Sequence, residues 1–190
     1  MRYEPLSRFP ALRTHDVDEL RQRMSGLFSV RSMDLGRGAR RTFEGRLNHR
    51  QLRDVGMSYV RYGAALAASL SHGDSYIQGF PLRGQGSYVL NGSEGGISPS
   101  LGIFCGPGAD LRLEYSSDFE HLILRINPQR LIRTLGGLIG WWAQVLLRAS
   151  GGFAFLHTLG AESRETVTSA TNGIVVPDAP PKLSSVLVVP

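Results

Sequence analysis

The sequence has few of the residues that cross-link a chain or anchor it in a membrane. Cysteine occurs once in 190 residues, at Cys105, so no disulfide can form within the chain. Lysine also occurs once, at Lys182. The most apolar run, residues 131–147, contains charged, amide and glycine residues, and it is shorter than the roughly 20 apolar residues of a membrane-spanning helix. No leader-like pattern opens the chain. We therefore expect a cytoplasmic protein with no membrane contact.

The patterns of several enzyme classes are missing as well. Metal-dependent β-barrel enzymes use a closely spaced His-x-His pair followed by a carboxylate, and no such pair occurs. The five histidines are scattered, at His15, His49, His72, His121 and His157. Gly84-Gln-Gly86 lacks the third glycine of a dinucleotide-binding loop, and no Gly-x-Ser-x-Gly elbow is present. We expect no metal site, no cofactor and no enzymatic activity, and we interpret Cys105 as a small core residue.

What the chain does have is typical of a globular β-protein. Hydrophobic residues make up 42% of it, and 23 glycines indicate many turns. The net charge of +5 is uneven, because residues 1–61 contain 13 arginines and 7 acidic residues. Arginines spread in this way usually form a solvated surface. We interpret the basic surplus as surface and not as a nucleic-acid interface.

Periodicity divides the chain into a helix, a β-region and a second helical region. Apolar residues at helical spacing behind Thr14 and Asp16 predict a short helix over 16–25. Short β-type runs separated by turns then continue to residue 126, which is typical of a sandwich or barrel. The predicted strands are 28–35, 41–48, 55–62, 64–71, 75–82, 86–90, 95–98, 101–105, 111–115 and 120–126. Asn91-Gly92 is the favoured pair for a tight hairpin turn between two of them.

A capped helix follows the β-region. Asn127 precedes Pro128, the residue favoured at a first helical position, and apolar residues recur behind them, so we predict a helix over 128–138. A second helix over residues 141–148 would extend this region. From about Ala161 the pattern disappears, and four prolines exclude a continuous helix near the end. We therefore divide the chain into an N-terminal arm and helix (1–27), a barrel (28–126), dimerisation-type helices (127–150) and an irregular tail (151–190).

Several short segments, in their order along the chain, resemble one known family. They read YIQGFPLRG at 76–84, GPGAD at 106–110, LRLEYSSDFE at 111–120 and LILRI at 122–126, with GARRTF at 38–43, Leu52 and YVRYG at 59–63 upstream. No single segment is specific, but their order over residues 28–140 resembles XylS-type members of the AraC family of bacterial transcription regulators.

The resemblance implies a fold and a function. The fold is a mainly β, cupin-like barrel of the double-stranded β-helix type, with a short N-terminal helix and a C-terminal helix or helix pair. Such a barrel binds a small effector and dimerises, and a separate domain with two helix-turn-helix units reads DNA. No helix-turn-helix pattern follows Gly140. We therefore expect the effector-sensing and dimerisation domain of such a regulator without its DNA-binding half, with a truncated or frameshifted gene as one hypothesis for the missing half. The alternatives are a free-standing cupin enzyme and a non-functional truncated regulator that acts only through heterodimers.

The same resemblance suggests a small aromatic or aliphatic carboxylate as the effector. A guanidinium group pairs with a carboxylate through two hydrogen bonds, so the candidate anchors are Arg41, Arg46 and Arg61. Residues two apart on a strand share a face, and we predict that Tyr76, Gln78 and Phe80 face the pocket, the alternative being that Tyr76 points outward and Gln78 closes a hairpin. The apolar stripe of the second helical region predicts dimerisation through Leu131, Leu135, Leu138 and Trp142.

Overall fold

The computed structural model describes residues 4–71, 73–139 and 152–156, and it consists mainly of β-strands. Two α-helices, α1 (Val17–Phe28) and α2 (Pro128–Ile139), and a short 3₁₀ helix (Ala39–Arg41) accompany the strands. The strands are β1 (Pro10–Thr14), β2 (Val30–Leu35), β3 (Gly45–Leu52), β4 (Val55–Arg61), β5 (Leu66–Ser71), β6 (Tyr76–Arg83), β7 (Gly86–Leu90), β8 (Ser93–Ile97), β9 (Leu101–Cys105), β10 (Asp110–Tyr115), β11 (Glu120–Ile126) and β12 (Gly152–Leu156). The predicted mainly β architecture is confirmed.

The strands form two antiparallel sheets that enclose one core. One sheet has seven strands in the order β1-β3-β4-β11-β6-β9-β12, and the other has five in the order β2-β5-β10-β7-β8. Strand β10 shows how the sequence specifies the two faces: Leu111, Leu113 and Tyr115 are buried, while Arg112 and Glu114 are exposed. This alternation turns one face of the strand toward the other sheet and the opposite face toward solvent.

Helix α1 connects the edge strands of the two sheets, because it follows β1 in the chain and precedes β2. Its N-cap is Asp16, whose Oδ1 accepts a hydrogen bond from the backbone N–H of Asp18 at 2.8 Å. Leu20, Met24 and Phe28 form a buried stripe at the helical spacing. The helix therefore closes the gap between the sheets on this side, and it is three residues longer at its C-terminal end than the sequence indicated.

The strand predictions differ from the structure at three places. Most predicted strands agree within two residues, but the strand expected to begin at Arg41 begins at Gly45, because residues 39–41 form the 3₁₀ helix. Strand β1 was not predicted; it begins at Pro10 and lies at the edge of its sheet, where proline is tolerated. Strand β12 lies in the segment 151–190 that we expected to be irregular, so that expectation is wrong for residues 152–156.

The turns that the sequence singled out have the expected backbone. Asn91 and Gly92 both adopt positive φ, of 50° and 88°, and they join β7 to β8 with Leu90 paired to Ser93. This is the geometry for which the Asn-Gly pair is favoured. Gly84 also has a positive φ, of 75°, and a Cβ atom at this residue would lie 2.7 Å from the Cα of Phe119. Only glycine fits this position without strain.

Helix α2 begins as predicted, at a cap formed by Asn127. Its side-chain Oδ1 accepts hydrogen bonds from the backbone N–H groups of Gln129, at 2.9 Å, and Arg130, at 3.3 Å. The turn between β3 and β4 also fixes the start of α2, since the backbone N–H of Asn127 donates to the carbonyl of Asp54 at 3.1 Å. Arg130 also lies 3.7 Å from the Asp54 carboxylate. The second helix predicted at 141–148 and the tail beyond residue 161 lie outside the described residues.

Candidate functional site

A cavity of about 40 Å³ lies in the core between the two sheets. Its walls are mostly apolar and include Met24, Phe28, Met33, Ile77, Ile103 and Ile123. Helix α1 supplies the first two of these residues, and strands of both sheets supply the others. Polar groups reach the cavity only from a few positions among its described lining residues, chiefly Tyr62, Tyr115 and His121. The interior thus offers an apolar space with a few hydrogen-bonding groups, as small-molecule sites do.

One end of the cavity is formed by stacked aromatic rings. The ring of Tyr115 lies between those of Phe119, at a centroid distance of 4.0 Å, and Tyr62, at 5.3 Å, and is nearly parallel to both. His121 packs against all three rings at centroid distances of 5.1–5.7 Å. Its Nε2 lies at a hydrogen-bond distance of 3.1 Å from the hydroxyl of Tyr62. These contacts form an aromatic wall that carries two phenols, of Tyr62 and Tyr115, and one imidazole.

Burial controls the ionisation of this end of the cavity. It lowers the pKa of His121 from 6.5 to about 3, so the imidazole is neutral at neutral pH. Burial likewise raises the pKa of the Tyr115 hydroxyl well above its ordinary value, and raises the pKa of the Cys105 thiol to about 12. Cys105 is buried in the core as predicted. A thiol in this environment carries no thiolate at neutral pH and is a poor nucleophile.

A second, polar space opens at the other end of the same inner sheet face. This polar cleft, of about 120 Å³, is lined by residues that include Gln51, Arg53, Asp54, Ser75, Arg125 and Asn127. On β11, Arg125 is the next inward-facing residue after Ile123, which lines the cavity. Its Nε donates to the Ser75 hydroxyl and its Nη2 to the Asp74 carboxylate, both at 3.1 Å. The cleft and the cavity are therefore neighbours along the strand.

A half-buried histidine lies beside the polar cleft. His49 Nδ1 is 2.8 Å from the hydroxyl of Ser58, and the ring borders Gly56, which also lines the cleft. Burial lowers the pKa of His49, and the positive charges of Arg23 and Arg125 lower it further. Two guanidinium groups thus create a positive potential at this end of the barrel.

The three arginines predicted as carboxylate anchors do not line the cavity. Arg41 is exposed on the 3₁₀ helix and not on a strand. Arg46 lies on the face of β3 opposite the buried Leu47, and it forms ion pairs with Glu4 and Glu44. Arg61 is on the outer face of the neighbouring strand β4, 3.8 Å from Glu120. The structure does not bring these three guanidinium groups into one site, and the inward-facing Arg125 was not among the candidates.

The predicted pocket face of β6 points away from the cavity. Ile77 and Gly79 line the cavity, so Tyr76, Gln78 and Phe80, which alternate with them, lie on the outer face of the seven-stranded sheet. The interior position predicted for these three residues is wrong. Tyr76 lies on the outward face, as in the alternative, but Gln78 lies within β6 and does not close a hairpin. Tyr76 is nevertheless buried and stacks on Phe104 at 5.4 Å. Gln78 Nε2 is buried with no hydrogen-bond partner in the described part of the chain.

The predicted dimerisation residues lie on or beyond α2. Leu131 is half-buried near the start of this helix. Leu135 and Leu138 belong to the helix backbone, but their side chains are outside what the structure describes, as is Trp142 altogether. Dimerisation through these residues stays a prediction.

Metal-ligating side chains do not converge within the described ranges. No group of three or more His, Cys, Asp and Glu side chains is placed to hold a metal ion among residues 4–71, 73–139 and 152–156. Of the histidines considered above, His72 and His157 fall outside these ranges. In the same part of the chain, no helix has the length and apolar character needed to cross a lipid bilayer.

Comparison with solved structures supports the fold. The crystal structure of the AraC-like transcriptional activator CuxR is similar with a TM-score of 0.55 and 18% identity, over 67% of this chain and 51% of that one. Two further structures are more distant. A predicted oxalate decarboxylase from Thermotoga maritima has a TM-score of 0.36 and 19% identity, over 44% of this chain and 81% of that one. A Cupin 2 conserved barrel domain protein from Salinispora arenicola has a TM-score of 0.37 and 13% identity, over 49% of this chain and 84% of that one. This chain spans about half the length of the activator. No curated protein matches the sequence.

Two facing antiparallel sheets around an interior cavity define a cupin-like barrel, which confirms the fold that the sequence predicted. The family model of the AraC-binding-like domain matches residues 21–179. The chain therefore belongs to the AraC-binding-like domain family. The match extends on both sides beyond residues 28–140, over which the sequence itself showed the resemblance.

Proposed function

We propose that this chain is the effector-sensing domain of an AraC-type transcription regulator and that it binds a small molecule inside the barrel. The observation that carries this proposal is the cavity between the sheets, which is apolar along its walls and has hydrogen-bonding groups at one end and a polar cleft at the other. The buried groups around it are poorly suited to catalysis, because a pKa of about 3 makes His121 a very weak base and a pKa of about 12 keeps Cys105 as the thiol at neutral pH. We propose a binding protein and not an enzyme.

The effector is a small carboxylate with a short apolar body. The cavity is smaller than the roughly 150 Å³ that accommodates a benzene ring, so a short aliphatic chain fits it more readily than a ring. Met24 and Met33 line the cavity, and methionine side chains adapt easily to an incoming group. An aromatic carboxylate would need these two side chains to rearrange. The acidic group is favoured by the positive potential that Arg23 and Arg125 produce at the cleft.

The regulator acts in the bacterial cytoplasm as a homodimer. We propose that α2 and the residues after it form the dimer interface, with Leu131, Leu135, Leu138 and Trp142 in contact across it. DNA is then bound only by a helix-turn-helix domain that lies outside these 190 residues. Light scattering of the purified chain and of Leu138→Asp tests the interface, with a dimer expected for the first and a monomer for the second.

A matched pair of variants tests whether ligands enter the cavity. Ala68 lines the cavity on β5, whereas its neighbour Ala67 is exposed on the opposite face of the same strand. Ala68→Val adds two methyl groups inside the cavity, and Ala67→Val adds the same groups outside it. Thermal shift is measured with linear carboxylates of two to eight carbons. The wild type and Ala67→Val should be stabilised by chains of the right length, and Ala68→Val should lose this stabilisation. Equal stabilisation of both variants, or none in the wild type, would refute the proposal.

A further inference from the structure

We infer that the polar cleft is an anion-binding site in which Arg125 holds the acidic group of the ligand whose apolar part occupies the cavity. This inference rests on the proposed function and adds to it a binding site, with Arg125 in place of the three arginines that the sequence suggested. Its starting point is the register of β11, because Ile123 lines the cavity and Arg125 lines the cleft one inward position further along. These two residues are about 7 Å apart along the strand, so a ligand that contacts both would have to lie along β11.

The guanidinium of Arg125 lines the cleft, and a ligand can replace one of its present partners. Within the described part of the chain, its side-chain hydrogen bonds go to Ser75 and Asp74. The side chain of Asp74 is 82% exposed, and an ion pair of this kind contributes little to stability. A ligand carboxylate inside the cleft offers the same charge with two oxygens, which matches the planar fork of the guanidinium. It can replace Asp74 as the partner while the Ser75 hydroxyl remains.

The charges around the cleft also favour an anion. Arg53 lines the cleft with Arg125. Arg23 adds to the positive potential at His49, beside the cleft, where its charge lowers the pKa of the imidazole. Asp54 is the acidic residue of the cleft wall, and its carboxylate faces Arg130 at 3.7 Å. The Gln51 amide donates one N–H to the backbone carbonyl of Arg53 at 2.7 Å and has a second N–H for an anion. The Ser75 hydroxyl donates to the Asp74 carboxylate at 2.8 Å, so it would bind an anion only in exchange for that partner.

The experiment separates the acidic group from the apolar chain. Thermal shift and isothermal titration are carried out with linear carboxylates of two to eight carbons and with the primary amide of each, which has nearly the same shape and no charge. The proteins are the wild type, Arg125→Gln and Arg112→Gln. Arg112 is an exposed arginine on the outer face of β10 and serves as the matched control.

The expected result is a preference for acid over amide that depends on Arg125. The wild type and Arg112→Gln should bind each acid about tenfold or more tightly than its amide, the difference expected for a charge-assisted hydrogen bond. Arg125→Gln should bind acid and amide equally while keeping the dependence on chain length. Arg125→Lys, which keeps the charge without the fork, should show an intermediate preference, and it replaces Arg125→Gln if circular dichroism shows that the latter is unfolded.

Two outcomes would overturn the inference. One is an unchanged preference for acids in the Arg125 variants, and the other is a wild type that binds acids and amides equally. In both cases a persisting dependence on chain length would leave the proposed function standing, because the cavity would still bind the apolar part. Loss of the chain-length dependence in the wild type would instead refute the proposed function itself, and the inference with it.

Discussion

The buried imidazole of His121 should make the stability of the barrel depend on pH. Burial lowers its pKa to about 3 in the folded protein, compared with 6.5 when it is exposed. The unfolded chain therefore binds a proton that the folded chain excludes, and stability is lost as the pH falls through 6.5 toward 3. At about 1.4 kcal/mol per pKa unit, lowering the pH from 8 to 5 should cost about 2 kcal/mol through this residue.

Urea unfolding at pH 8 and pH 5 measures this loss. The comparison is with His121→Gln, which cannot titrate, so that the contributions of all other groups cancel in the difference. Tyr62→Phe is the control, because it removes the hydroxyl that contacts His121 but leaves the imidazole buried. It should keep the pH dependence of the wild type. The reasoning fails if His121→Gln loses as much stability between the two pH values as the wild type does.

Two further predictions concern the backbone. Gly84→Ala should cost about 1–3 kcal/mol of unfolding free energy, because Gly84 has a positive φ and a Cβ atom there would meet the backbone of Phe119. Gly96→Ala, with open space around it, should change the stability in urea little. Equal effects of the two substitutions would contradict this explanation. Asn127→Ala should cost about 1 kcal/mol of unfolding free energy, because it removes the cap of α2. Asn127→Asp should retain most of the stability, since aspartate also caps helices. An equal loss of stability in both variants, measured in urea, would show that the cap is not the cause.

The elements of the fold could be predicted from the sequence more fully than the site. Strand β10 alternates cleanly between buried and exposed residues, and Asn127-Pro128 marks the start of α2, so local patterns were enough. On β6 the local pattern was not enough to show which residues face the interior. Tyr76 is buried on the outer face and Ile77 is half-buried on the inner one, so both faces of the strand carry apolar residues and the pattern does not indicate which one is inside. Only the pairing with β9 and β11 decides this, and a shift of one residue reverses it.

The choice of arginines failed for a related reason. Arg46 and Arg125 both occur near the end of a predicted strand, and nothing in the sequence distinguishes a guanidinium paired with Glu4 on the outer surface from one that faces the interior. The Arg46–Glu4 and Arg125–Asp74 ion pairs join residues 42 and 51 positions apart in the chain, so no local pattern indicates them. The anchor of an acidic ligand therefore has to be read from the structure.

Asn127 belongs to two features at once, since it lines the polar cleft and caps helix α2. An anion in the cleft and a partner subunit on the helix would then act on the same residue. Coupling between two binding events is reciprocal, because each must change the free energy of the other by the same amount. If the ligand strengthens dimerisation, dimerisation must strengthen ligand binding equally. The concentration of the regulator in the cell would then set its sensitivity to the effector.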